Sequence, residues 1–193
     1  MMLSRLFDGL TAPRDPAGYR PGVTLECLRR NLALSGWQQL EPRLARVSLD
    51  GLMVEVRERT ESQLLMHLVM SEFVLQVPGA NQCAGRYELH HTGSIRRSGL
   101  RCRRRGGDSA ALATLRQALE LDQPLREALM PLDFKRLLLE AADGQWTVRL
   151  EHMGGSEVVN RMPAFRRYIA ISAEQKTSLF AALNALSRVL REI

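Results

Sequence analysis

On both sides of Asp50-Gly51 the apolar residues alternate without a break. Ala45, Val47 and Leu49 are interleaved with Leu44, Arg46 and Ser48, and Leu52, Val54 and Val56 with Met53, Glu55 and Arg57. Period two is the spacing of a strand that buries one face, and an Asp-Gly pair tolerates the positive φ angles that a type I′ turn demands. The segment predicts an antiparallel hairpin. A lone hairpin is marginal in water, so further strands or helices must cover its apolar face.

The same alternation recurs along the chain. It runs from Leu64 to Val77 with a change of phase near Ser71-Glu72, which predicts a bulge or break there. Tyr87, Leu89 and His91 mark another strand, and Ile95 to Arg104 returns beside it. Trp146, Val148, Leu150 and His152 alternate next; Gly154-Gly155 reads as a hairpin turn, Val158 to Met162 pairs back, and Phe165 to Ile171 is a last strand.

Helical spacing separates these groups. Thr24 opens a helix with Leu25, Leu28 and Leu32 on one face, and Asp108 or Ser109 caps another with Leu112, Leu115 and Leu119 inward. A helical stretch opens at Pro124, and Leu132 to Ala142 reads as a further helix. The clearest stripe is Leu179, Leu183, Leu186, Leu190 and Ile193, within Ala173 to Ile193. Hairpins between blocks of helix argue against a parallel sheet, in which strand and helix alternate one for one. The expected class is α+β: a mainly antiparallel sheet of hairpins packed against helices, with a long amphipathic C-terminal helix.

Upstream, Leu3, Leu6, Phe7 and Leu10 fit a short helix, followed by three prolines and two glycines between Pro13 and Gly22. Residues 1–22 therefore read as a helix and linker that tether a single domain over residues 23–193. With 193 residues, 45% of them hydrophobic, the chain can bury one ordinary core.

Charge narrows the function. The net charge is +6, and the stretch from Arg86 to Arg105 holds seven arginines against one acid, Glu88, while the rest has 20 bases and 20 acids. Localised charge makes a binding surface. On a strand from Gly99 to Arg105, Arg101, Arg103 and Arg105 share a face opposite Leu100 and Cys102, at intervals of roughly 6.6 Å. With Arg96, Arg97 and Arg104 they form the candidate anion-binding set, suited to a polyanion such as nucleic acid or an acidic protein. No stacking aromatic interleaves between Ile95 and Arg105. Two structural roles compete: a charged edge strand guarded against aggregation, and a row neutralised by Glu88, Glu55 and Glu58.

Other chemistry is sparse. His90 and His91 are adjacent on a strand and point to opposite faces, and neither they nor His67 and His152 show metal-ligand spacing. Cys27, Cys83 and Cys102 are odd in number and lack a Cys-x-x-Cys pair, which fits a reducing, cytoplasmic protein. There is no Gly-x-Ser-x-Gly motif, no phosphate-loop lysine, no apolar signal-peptide core and no stretch of roughly 20 apolar residues. The sequence thus assigns no catalytic residue, metal site or cofactor, and leans to a non-enzymatic binding or accessory protein. The alternative is a carrier or sensor of an apolar small molecule or lipid, its cavity between the sheet and the C-terminal helix. Met53, Met66, Met70, Met130, Met153 and Met162 would supply an adaptable lining.

The stretch from Gly144 to Pro163, with the Arg-Arg-Tyr-Ile of residues 166–169, resembles a bacterial family of unknown function whose domain has about this chain's length. The resemblance implies a bacterial origin and no particular activity.

Overall fold

The computed structural model describes residues 15, 16, 18–93, 97–107 and 109–193, without the side chain of Arg161. The short helix expected over residues 3–10 lies outside them. Helix α1 (Val23–Leu32) leads into β1 (Gln38–Glu41), β2 (Leu44–Leu49), β3 (Leu52–Ser62) and β4 (Met66–Pro78), then the pair β5 (Gly85–Thr92) and β6 (Gly99–Gly107). Helices α2 (Ser109–Leu121) and α3 (Gln123–Leu129) precede β7 (Phe134–Ala142), β8 (Gln145–Arg161), β9 (Ala164–Ile169) and the long C-terminal helix α4 (Ala173–Arg191). The strands form one antiparallel sheet in the order β1-β2-β3-β4-β8-β7-β5-β6, with β9 paired to β8 as a branch. The class is α+β.

The Asp50-Gly51 hairpin forms in the register its alternation requires, Val47 opposite Val54 and Ala45 opposite Val56, with Asp50 and Gly51 at φ 48° and 85°. The phase change in β4 lies beside a bulge of β8: Val69 pairs with Glu157 and Ser71 with His152, so Met70 alone faces the four residues from Met153 to Ser156. That register corrects the turn expected at Gly154-Gly155, which lies inside β8. Gly155 has φ 70°, and a Cβ on it would sit 2.9 Å from Leu28 Cδ1 and 3.1 Å from Ile171 Cδ1. The glycines serve close approach, letting α1 and the β9–α4 connection settle on the bulged strand.

A second correction concerns the helix expected over Leu132–Ala142, most of which is strand β7. Lying between β5 and β8, β7 buries Leu137, Leu138 and Leu139 in succession, so both of its faces are covered. A central strand reads as a continuous apolar run, and burial there outweighs the helix propensity of its Leu, Lys, Glu and Ala residues.

The core joins one face of the sheet, including Val56, Phe73 and Leu150, to Leu25 and Leu28 of α1, Leu129 of α3 and the α4 stripe. Leu179, Leu183, Leu186 and Leu190 are wholly buried, as their spacing demands. The opposite face is a ladder of charge. Glu55 pairs with Arg46 and Arg57; Arg149 sits 3.1 Å from Glu140 and 3.5 Å from Glu72; Arg86 reaches Glu140 at 3.0 Å. Glu72 and Glu151 are directly opposed and both buried, and Arg136 lies 3.7 Å from Glu151. Burial, reinforced by Glu72, raises the Glu151 carboxyl above its ordinary range against the pull of Arg136.

Candidate functional site

Strand β6 ends the sheet beyond β5, so its arginines occupy an exposed edge. Cys102 turns inward opposite Leu89, which leaves Arg101 and Arg103 on the outer face, opposite His90 and Glu88. The register slips between Arg86 and Tyr87, placing Arg105 in a bulge with no cross-strand partner of its own. The straight row of three expected on this strand is therefore reduced to Arg101 and Arg103.

Much of the arginine set is committed internally. Arg105 forms an ion pair with Glu88, and Arg104 donates to the carbonyl of Gly107 at 2.7 Å. Arg97 is a brace: it donates to the carbonyl oxygens of Met130, Pro131 and Leu132 at 2.9–3.2 Å and to Asp133 at 2.9 Å. Arg96 lies outside the described residues. Glu55 and Glu58 belong to other parts of the sheet and do not meet β6. Arg101 and Arg103 are exposed and have no ion pair or side-chain hydrogen bond among the described residues.

Helices α2 and α3 wall the space beside this edge. Arg116 on α2 donates through Nε and a terminal nitrogen to the carbonyl of Cys102, at 3.2 and 2.9 Å, so a guanidinium occupies part of the strand's free edge. Asp122 caps α3 by accepting from Leu125 N–H at 2.8 Å, while Arg188 of α4 pairs with the same carboxylate at 2.6 Å and holds it below its ordinary range. His91 fixes the other end of α3: its Nε2 lies 2.8 Å from the Leu129 carbonyl and its ring packs on Phe134 at 4.4 Å between centroids. Burial lowers the His91 pKa, keeping the imidazole neutral.

These contacts hold open a cleft of about 330 Å³ between β6 and the two helices. Leu89, Leu100, Leu119, Leu125 and Leu129 supply its apolar wall; Arg101, Arg116 and Arg126 bring positive charge and Glu120 one carboxylate. Arg126, like Arg101, has no side-chain partner among the described residues. Cys102 is at the wall with its thiol pushed up to about 11 by burial, so it is protonated and inert near neutrality. The cleft lies away from the stripe of α4, and its wall is leucine rather than methionine. Of the six methionines expected to line a cavity, Met53 and Met162 are exposed and Met70 is buried in β4.

Arg116 and Arg126 were not legible as site residues, because their sequence shows only polar positions on amphipathic helices. The one available signal was order: α2 follows β6 directly, and consecutive elements are usually neighbours. Among the described residues no group of three or more His, Cys, Asp or Glu is gathered to hold a metal, and no helix is long and apolar enough to cross a membrane.

No curated protein and no solved structure matches this chain. A family described as a protein of unknown function, DUF3156, matches residues 30–190, a span that takes in the sheet, all four arginines of the β6 edge and nearly all of α4. By that match the chain belongs to the DUF3156 family.

Proposed function

We propose that this is a non-enzymatic binding protein whose site is the β6–α2–α3 cleft, and that its ligand is a small anion with an apolar body. The observation that carries this reading is the pairing of a leucine wall with two guanidinium groups, Arg101 and Arg126, that have no side-chain partner among the described residues. At about 330 Å³ the cleft falls within the range of small-molecule sites, about 300–1,000 Å³, and combines apolar walls with few polar groups as such sites do. An unpaired guanidinium at the rim orients a carboxylate or sulfonate by charge-assisted hydrogen bonds, and the leucines take the remainder. The free thiols fit a reducing, cytoplasmic setting.

Anilinonaphthalene sulfonate, an aromatic anion, is the probe. Its fluorescence should rise on a single class of site, decanoate should displace it, and Arg101→Gln with Arg126→Gln should weaken both by roughly tenfold or more without loss of stability. Equal displacement by decanol, or binding unchanged in the double variant, would remove the anion from the reading.

A second reading, a polyanion or acidic protein laid along β6, is favoured by the alternation of Arg101 and Arg103 on an exposed edge. It requires heparin binding that falls steeply with salt and is lost in Arg101→Gln/Arg103→Gln while Arg126→Gln leaves it intact. The occupied Cys102 carbonyl and the internal pairing of Arg97 and Arg105 count against it.

A further inference from the structure

Four tight turns of the sheet differ in kind between its two ends. At one end β2 passes to β3 through Asp50-Gly51 and β7 to β8 through Asp143-Gly144, with φ of 48°, 85°, 52° and 72°. Those are the residues a two-residue turn prefers. At the other end the central residues are Leu64-Leu65, between β3 and β4, and Met162-Pro163, between β8 and β9. Gln63 N–H closes the first turn on the Met66 carbonyl at 2.8 Å, and Arg161 faces Ala164 across the second. Because Met66 pairs with Asn160, the two turns stand side by side.

Neither turn needs its leucine or methionine. Leucine and methionine bring no φ preference that a tight turn uses, and here they bury little: Leu64 is 90% exposed, Met162 76%, Leu65 56%, and neighbouring Phe165 47%. Among the described residues, four of the nine exposed large hydrophobic side chains are thus gathered at one end of one sheet. Single exposed apolar residues are ordinary, but a cluster placed at the outermost turn positions marks a contact surface.

The charge around the turns is positive. Residues 158–172 hold Arg161, Arg166 and Arg167 and no acid. Arg166 is committed to Glu157 at 3.1 Å, whereas Arg167 on β9 and Arg59 on β3 are exposed with no side-chain partner among the described residues. The nearby Glu61 is neutralised by Lys135. Apolar groups therefore project beyond the exposed Arg167, while Arg59, opposite Met70 further down β3, also faces the Glu151 carboxylate.

From this arrangement we infer that Leu64, Leu65 and Met162 insert into the interfacial layer of an anionic lipid surface, with Arg167 against its headgroups. Shallow insertion into a lipid surface needs only protruding apolar groups with basic charge beside them. The inference stands apart from the β6 cleft and does not depend on what that cleft binds.

Flotation of the full chain with vesicles tests it. The protein should partition onto phosphatidylcholine mixed with phosphatidylglycerol and far less onto phosphatidylcholine alone, and added salt should weaken the binding. Combining Leu64→Ser, Leu65→Ser and Met162→Ser should reduce partitioning by roughly tenfold or more, with the urea midpoint unchanged because all three side chains are exposed. Arg167→Gln should lower binding to the anionic vesicles only. Absence of partitioning by the native chain, or partitioning untouched in the triple serine variant, overturns the inference. So does a native dimer that the triple variant dissociates while vesicles are ignored, which would assign the turns to a second copy.

Discussion

The carboxamide of Asn31 on α1 closes a pair of hydrogen bonds with the backbone of Ile171, 140 residues later: Ile171 N–H donates to Oδ1 at 2.7 Å, and Nδ2 donates to the Ile171 carbonyl at 3.1 Å. The side chain thereby does for Ile171 what a neighbouring strand would, satisfying both backbone groups in the connection from β9 to α4. This connection crosses the bulge of β8, where Gly154 and Gly155 leave room for Ile171. Asn31→Ala should destabilise the fold by about 1–3 kcal/mol, because partly buried polar groups lose their partners. Urea unfolding should show a lower midpoint with an unchanged slope.

Glu58 acts on α1 from another strand. Its helix begins at Gly22, which has no side chain to cap it, and the Glu58 carboxylate accepts from Leu25 N–H and Gly22 N–H at 3.0 Å each and from the Tyr19 hydroxyl. A carboxylate at a helix N-terminus also opposes the positive end of the helix dipole. Burial, and then this carboxylate, raise the Tyr19 pKa. Glu58→Ala should cost about 1–3 kcal/mol, and Tyr19→Phe less, since the Phe variant leaves both backbone bonds in place. Limited proteolysis should cut residues 18–22 sooner in Glu58→Ala than in Tyr19→Phe.

His152 makes stability depend on pH. It is buried at the bulge, with Nδ1 3.1 Å from the Gly154 carbonyl and Nε2 3.1 Å from Gln175 Oε1. Burial lowers its pKa from 6.5, outweighing the two hydrogen bonds. The unfolded chain therefore binds this proton more readily than the folded one in the window below pH 6.5. Stability is full above that value and falls as the pH drops through the window towards the folded pKa. His90 and His91, also lowered chiefly by burial, add in the same direction, whereas Glu151, raised from 4.5, favours the fold as the pH falls nearer its own range. Urea midpoints taken on either side of pH 6.5 should differ, and His152→Gln should flatten the difference; an equal slope in the variant would assign it to the other histidines.

The Asp50-Gly51 hairpin and the buried stripe of α4 were legible in the sequence because each is decided by local chemistry. A two-residue turn needs particular φ angles, a strand buries every second residue, and a helix covers a core with a stripe of period 3.6. Tertiary structure decided the rest. Leu137-Leu138-Leu139 has no period that separates strand from helix, and only the places of β5 and β8 on its flanks make it β7. Glycines mark a turn and a close approach alike, so Gly154-Gly155 was ambiguous until Leu28 and Ile171 came to rest on it. The arginines show the limit most clearly. Their number on β6 is a property of the chain, but whether each is spent or free depends on acids and carbonyls brought in from elsewhere. Arg97 meets Asp133, Arg105 meets Glu88, and Arg101 meets no partner among the described residues. Charge is written in the sequence one residue at a time, whereas its neutralisation depends on distance, and distance is set by the fold.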